Sequence, residues 1–180
     1  MNILLCVTGG IAAYKSCDLV SRARKAGYGI RVAMTTNATR FVGPISFQAL
    51  SGQSVFTDVF QESPGGDINH IAWAQWADVV IVAPATANVI GKLAVGIADD
   101  AVTTIIMATP ADTPVVIAPA MNTHMWLNPV VQRNVGWLGD LGRFHIVAPV
   151  SKRLACGDEG PGGMAAPEDI LARAQALVAG

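Results

Sequence analysis

Charge is scarce in this chain. Only 14% of its 180 residues are Asp, Glu, Lys or Arg, and the formal net charge is −1. Such a balance gives no electrostatic case for nucleic acid or for an acidic membrane as partner. Long apolar runs are missing too, since none reaches the roughly 18–20 residues that a membrane helix needs. The strand-like run Ile3-Leu4-Leu5-Cys6-Val7 has no basic segment before it, so no signal peptide is expected. Cysteine is limited to three residues without regular spacing. A disulfide framework is therefore not expected, and a reducing cytoplasm fits. No pair of cysteines or histidines has metal-ligand spacing, so no structural zinc is expected.

Apolar residues, by contrast, make up 52% of the sequence. That is oily for a soluble monomer, and burial of some surface against other subunits or a cofactor is expected. The length suits one domain with a substantial core. Apolar β-rich runs alternate with helix-like stretches. Strands are predicted at Ile3–Val7, Ile30–Met34, Ala77–Ala83, Val115–Ala118 and Phe144–Ala148, with a short extended piece at Val55–Val59. Helices are predicted at Ile11–Ala26, stopped by Gly27, and at Pro44–Ser51, Asn88–Val95, Asp100–Ala108 and Asn128–Leu141. The last helix is predicted at Pro167–Val178, where Glu168 and Asp169 suit the positive end of the dipole. Asp99-Asp100 reads as a helix N-cap. Continuous apolar strands separated by helices mean a parallel sheet covered on both faces. The predicted fold is a single-domain, three-layer, doubly wound α/β sheet of the Rossmann or flavodoxin-like kind. The polar stretch 61–69 reads as the least ordered interior segment.

Polar segments stand where such a sheet places its ligands, at the carboxyl ends of strands. Thr8-Gly9-Gly10-Ile11-Ala12-Ala13 follows the first strand and opens the first helix. Glycines there let the backbone approach a phosphate, and the helix amides can bind it; a plain tight βα turn is the alternative. The segment is not GxGxxG, and no acidic residue ends the second strand. That strand runs instead into Thr35-Thr36-Asn37. Hydroxyls and an amide suit a phosphate or ribityl chain better than a ribose diol, which favours a mononucleotide such as FMN over NAD. Thr86-Ala87-Asn88 repeats the polar cluster after another strand. In Pro119-Ala120-Met121-Asn122-Thr123-His124-Met125-Trp126, Met121 and Met125 fit a core stripe, but Asn122 between them needs polar partners. The run Ala155-Cys156-Gly157-Asp158-Glu159-Gly160-Pro161-Gly162 places a thiol on a loose, glycine-rich, acidic loop, which reads as chemistry before packing. His70, just before Ile71-Ala72-Trp73, suits either a helix cap or catalysis. Cys6 and Cys17 read as small core residues, His124 as a rim residue, His145 as a strand residue, and Trp73 and Trp76 as candidates for a subunit interface.

Together these segments resemble the homo-oligomeric flavin-containing cysteine decarboxylase family over essentially the whole chain. Gly9-Gly10-Ile11-Ala12-Ala13-Tyr14-Lys15 is similar to its N-terminal flavin loop, and Asn69-His70-Ile71 to its catalytic histidine segment. Pro84-Ala85-Thr86-Ala87-Asn88 is similar to its Pro-Ala-Ser-Ala-Asn-Thr motif, with Thr86 for serine and Val89 for threonine. Pro119–Trp126 matches its Pro-x-Met-Asn-x-x-Met-Trp motif in full. Ala155-Cys156-Gly157-Asp158, with Gly160, Gly162 and Met164, resembles its substrate-recognition clamp. The Pro-Ala-Met-Asn form and the Ala-Cys-Gly-Asp loop are most similar to the branch that acts on 4′-phosphopantothenoylcysteine in coenzyme A biosynthesis. Gly163 departs from the many bacterial members with arginine there, which leaves open how the substrate phosphate or carboxylate is gripped. Bacterial members are often fused to a C-terminal synthetase domain, whereas this sequence stops one helix past the clamp.

The resemblance implies one flavoprotein decarboxylase domain over 1–180, with the clamp loop at about 151–166. It implies FMN as cofactor and no metal, with cofactor contacts at Gly9, Gly10, Ile11, Thr35, Asn37, Thr86, Ala87, Asn88, Val89 and Ala120. Flavin would take a hydride from the thiol-bearing carbon of phosphopantothenoylcysteine. The carboxylate then stands β to a C=S bond that accepts the electrons as CO₂ leaves, and the hydride returns to give 4′-phosphopantetheine. His70 is implied as the base for the substrate thiol, Asn122 as holder of its carboxylate and amide, and Met125 as packing near the reacting carbon. Cys156 is implied as the final acid, with Ala155 and Gly157 beside the substrate. A homotrimer with flavin at subunit boundaries, or a dodecamer of trimers, is implied, in the cytoplasm and without nucleic acid or membrane. Three alternatives stand. A peptidyl-cysteine decarboxylase of peptide natural-product biosynthesis shares the histidine but generally lacks that cysteine. A phosphatase-binding regulatory flavoprotein usually carries an acidic tail. A flavin prenyltransferase lacks the clamp and the asparagine motif.

Overall fold

The computed structural model describes residues 1–60, 69–153, 157 and 159–179. A six-stranded, all-parallel sheet runs through it in the order β3-β2-β1-β4-β5-β6. Its strands are β1 (Asn2–Val7), β2 (Gly29–Met34), β3 (Val55–Phe56), β4 (Val79–Ala85), β5 (Val115–Pro119) and β6 (Phe144–Ile146). The helices are α1 (Lys15–Lys25), α2 (Pro44–Ser51), α3 (Asn69–Trp76), α4 (Ala87–Val95), α5 (Ala101–Ala108), α6 (Thr123–Trp126), α7 (Pro129–Asp140) and α8 (Pro167–Val178). A 3₁₀ turn at Ile11–Tyr14 leads into α1. The predicted α/β doubly wound domain is therefore the one observed.

Side chains of a strand point alternately to opposite faces, and the sheet accordingly separates two cores. Ile3, Leu5 and Val7 of β1 meet Leu19, Val20, Phe47 and Ile170 from α1, α2 and α8 on one face. Leu4 and Cys6 meet Ala74, Ile90, Ile105 and Leu138 from α3, α4, α5 and α7 on the other. β4, buried along its whole length, divides in the same way. With both faces covered, these strands carry no polar alternation, which is why they read as continuous apolar runs.

Several elements differ from expectation. The Val55–Val59 piece pairs with β2 only through Val55 and Phe56. The clamp region contains an antiparallel hairpin, β7 (Val150–Arg153) and β8 (Glu159–Gly163), where a loose loop was expected. Its glycines supplied no strand signal, yet Met121 N–H donates to Gly162 O at 2.9 Å and anchors β8 to the segment before α6. Trp73 is buried within its own chain against Phe56, with ring centroids 5.5 Å apart. The Arg31 guanidinium stacks on Trp73 and Trp76 at 5.4 and 4.3 Å. Both rings thus find partners inside the chain. Residues 61–68, the stretch expected to be least ordered, lie outside the described residues, as do Leu154, Ala155, Cys156 and Asp158.

Candidate active site

The strand order reverses between β1 and β4: β1 leads outward to β2 and β3, β4 to β5 and β6. Crossovers leaving in opposite directions open a crevice at the carboxyl edge of the sheet, where doubly wound proteins bind ligands. Local chemistry builds its walls. The Thr8 hydroxyl at the end of β1 donates to Pro84 O at 2.6 Å and accepts from Thr86 N–H at 3.1 Å, joining the loops after β1 and β4. Thr86 caps α4 by accepting from Val89 N–H at 3.3 Å. Asn122 caps α6 by accepting from His124 N–H at 2.7 Å, which fixes the orientation of its amide. At Gly9 a Cβ would stand 2.5 Å from Asn37 Cβ and 2.9 Å from its carbonyl carbon. The loops after β1 and β2 therefore touch in a way only glycine permits.

Two adjoining cavities occupy the crevice. The larger, about 550 Å³, is walled mainly by the glycine turn, α1's start, Ala120–Asn122, Met125 and the hairpin. The smaller, about 400 Å³, is lined by Thr8, Thr35, Thr36, Asn37, Asn88, Val89, Lys92 and Asp100. Gly9, Thr86, Ala87 and Met125 belong to both. The lining changes from aliphatic at Ile11, Ala12, Ala120 and Met164 to hydroxyl and amide at the threonines and Asn37. Every expected cofactor contact lines one or both cavities: Gly9, Gly10, Ile11, Thr35, Asn37, Thr86, Ala87, Asn88, Val89 and Ala120. Asn122 and Met125 do as well, and Met125 is half-exposed rather than part of a core stripe.

The remaining expected residues fall elsewhere. His70 lies in the first turn of α3, half-buried, and lines neither cavity. Its Nδ1 is buried without a hydrogen-bond partner among the described residues. Gly157 is exposed between β7 and β8 and outside both walls. Ala155 and Cys156 lie outside the described residues. Cys6 is fully buried, and its thiol is pushed far up, first by burial and then by the Asp100 carboxylate. It is inert core, as expected.

Charges at the two cavities are arranged oppositely. In the smaller one, Lys92 Nζ lies 2.5 Å from Asp99 Oδ1 and 2.7 Å from Asp100 Oδ2. Burial would lower the Lys92 pKa, but the two carboxylates outweigh it and the net direction is upward. Lys15 and Lys152 both line the larger cavity. Lys15 is lowered to about 8, first by burial and then by the neighbouring Lys152. Sequence reasoning missed Lys152, Arg153, Lys92 and Asp100 as wall residues. In so weakly charged a chain, Lys152-Arg153 at the start of the clamp loop was the available signal.

A crevice at the switch point, apolar at one end and hydroxyl-lined at the other, defines a mononucleotide-binding α/β protein. The chain belongs to the Flavoprotein family, whose model matches residues 1–179. It is 52% identical over 174 residues to the coenzyme A biosynthesis bifunctional protein CoaBC of Bacillus subtilis (strain 168), covering 97% of this chain and 42% of that protein. It thus spans less than half the length of that bifunctional relative. It is 44% identical over 170 residues to a probable phosphopantothenoylcysteine decarboxylase of Streptococcus mutans, covering 94% of each. A cysteine-to-serine mutant of PPC decarboxylase complexed with pantothenoylaminoethenethiol superposes with a TM-score of 0.89 at 33% identity, over 99% of this chain and 98% of that one. Among the described residues no helix is long and apolar enough to cross a membrane, and no cluster of His, Cys, Asp and Glu is arranged to hold a metal.

Proposed function

We propose that this protein is an FMN-dependent decarboxylase of 4′-phosphopantothenoylcysteine, acting in coenzyme A biosynthesis in the cytoplasm. One observation carries the reading: a flavin-sized double cavity at the switch point, with Asn122 and Met125 of the asparagine motif in its wall. The residues fit the cofactor. The aliphatic wall at Ile11, Ala12 and Ala120 suits a flat ring system, and Thr35, Asn37 and Thr86 suit a ribityl phosphate. The close approach of Gly9 to Asn37 keeps the floor of both cavities clear of side chains.

When bound, FMN supplies a hydride acceptor that returns the hydride after CO₂ has left, so the reaction is redox-neutral overall. The chain's own groups do the rest. Asn122, oriented by its cap bond, holds the substrate carboxylate and amide. Met125 packs beside the reacting carbon and excludes water. His70 takes the thiol proton, a step worth about 10²–10⁴-fold in general-base catalysis. Cys156 returns a proton to the enethiol, as a thiol with an ordinary pKa of about 8.5 is mostly protonated at neutral pH. The protein acts as a homotrimer or a dodecamer of trimers, in which a neighbouring subunit brings its His70 to the cavity. Two features support this. His70 is outside the walls of its own chain's cavities, and Ile11 and Tyr14 in the larger cavity's wall are 62% and 60% exposed.

The test is direct. The purified protein shows flavin absorption, or takes up added FMN, and converts 4′-phosphopantothenoylcysteine to 4′-phosphopantetheine with loss of CO₂. His70→Asn loses turnover, and Cys156→Ser still decarboxylates but accumulates the enethiol. A colourless protein that refuses FMN, or a His70→Asn variant working at the parental rate, overturns the reading.

A further inference from the structure

We propose that Lys15 and Lys152 together form the seat for the phosphate of the substrate, at the rim of the larger cavity, and thereby select phosphorylated over unphosphorylated substrate. The inference rests on the decarboxylase reading above and adds to it the group that recognises the far end of the substrate.

The two residues are 137 positions apart, Lys15 at the first turn of α1 and Lys152 in β7, yet both line the larger cavity. Arg153 stands on the same wall. Among the described residues no carboxylate pairs with either lysine. Two ammonium groups brought together without a counter-charge repel each other, and a dianion between them reverses the sign of the interaction. The Lys15 pKa is lowered first by burial and then by the neighbouring Lys152, in keeping with that arrangement. The course of Lys152 is fixed by its neighbour. A Cβ at Gly163 would overlap Lys152 Cε and approach Cδ at 3.0 Å and Cγ at 3.1 Å. The glycine thus leaves the groove in which the lysine stem lies. The smaller cavity offers no equivalent, because its one lysine, Lys92, is already held by Asp99 and Asp100.

The phosphomonoester could come from the substrate, which passes it on to the product, or from FMN, and the experiment separates these two sources. Holoprotein carrying Lys15→Gln, Lys152→Gln or both is assayed with 4′-phosphopantothenoylcysteine and with pantothenoylcysteine. Charge-assisted hydrogen bonds of this kind lead to an expected fall in the kcat/KM ratio of phosphorylated to unphosphorylated substrate of about 10- to 100-fold per lysine. Calorimetry on the holoprotein is expected to show the same loss for 4′-phosphopantetheine relative to pantetheine. Fluorescence titration of the apoprotein with FMN and riboflavin is expected to give an unchanged ratio of affinities, and circular dichroism an unchanged fold. An unaltered substrate ratio overturns the proposal, and so does a loss of preference for FMN over riboflavin without one for the substrate. Should the parental protein decarboxylate neither substrate, the decarboxylase reading fails. The lysine seat is then judged on 4′-phosphopantetheine binding alone: lysine-dependent binding supports it, and lysine-independent or absent binding overturns it.

Discussion

Replacing Gly9 by alanine tests the floor of the site separately from its chemistry. The new methyl would stand 2.5 Å from Asn37 Cβ and 2.9 Å from the Asn37 carbonyl carbon. Ordinary contacts between carbon atoms lie at about 3.5–4.0 Å, so one loop must retreat by about 1 Å. Neither contact is the free end of a flexible side chain, so backbone has to move. Overpacking of this kind destabilises by about 1–3 kcal/mol. At this chain length each kcal/mol lowers Tm by about 2–4 °C, and the apoprotein is expected to melt about 2–12 °C below the parent. The adjacent glycine provides the contrast. Gly10 has φ −151° and ψ 160°, and a Cβ there meets only Thr86 Cγ2 at 3.6 Å. Alanine accepts that backbone without strain, and the stiffer unfolded chain makes Gly10→Ala stabilising by about 0.4–1 kcal/mol. Thermal melts of the two apoproteins should therefore move in opposite directions. FMN titration should then show Gly9→Ala binding about tenfold or more weakly, as expected for a displaced wall. A Gly9→Ala apoprotein that melts at or above the parent refutes the reasoning.

Four further predictions concern other parts of the molecule. Asp100 caps α5 by accepting from Val102 and Thr103 N–H at 3.1 and 2.9 Å and pairs with Lys92; urea unfolding of Asp100→Ala is expected to reveal a loss of about 1–2 kcal/mol, and an unchanged midpoint would contradict the cap. Burial raises the Asp100 pKa, but Lys92 and Thr103 outweigh it and the net direction is downward. Its stabilisation is thus complete above the usual carboxylate value near 3.9 and lost as pH falls through the lower folded value, a dependence that Asp100→Asn should flatten. Lys15, at about 8 when folded against 10.5 ordinarily, makes stability rise with pH between those values, because the unfolded chain holds more protons there. A bound dianion raises the Lys15 pKa again, so calorimetry at pH 8 in buffers of different ionisation enthalpy should show uptake of up to about half a proton with 4′-phosphopantetheine and none in Lys15→Gln. Finally, a Cβ at Gly160 would meet Thr123 Cγ2 at 2.9 Å and Oγ1 at 3.0 Å. Gly160→Ala should lift the hairpin and lower kcat/KM about tenfold, and Thr123→Ala in the same chain should restore part of it; strict additivity of the two changes would argue against the contact.

The fold was legible because its strands are buried on both faces and its helices carry conventional ends. Pro44 opens α2, Gly27 and Gly96 follow α1 and α4 with positive φ, and Asp100 caps α5. The hairpin was not legible, since β8 is Glu-Gly-Pro-Gly-Gly and has neither β-formers nor alternation. It is held from outside, by Met121 N–H and by Thr123 beneath Gly160. The cavity walls near β1, β2, β4 and β5 were foreseeable from strand ends, because a doubly wound sheet brings those ends together. The lysine pair was not, because only the tertiary placement of the hairpin brings Lys152 to the cavity that Lys15 lines. His70 marks a different boundary. Its motif was visible in the sequence, but α3 places it outside the walls of both cavities.

Met164 follows β8 directly and has two duties. Its side chain is sealed in the first core beside α8, and it also forms part of the larger cavity's wall. At Met164 any change in wall shape is therefore also a change in core packing, so substrate preference cannot drift there independently of stability. The root of the hairpin is thus closed to evolutionary tinkering.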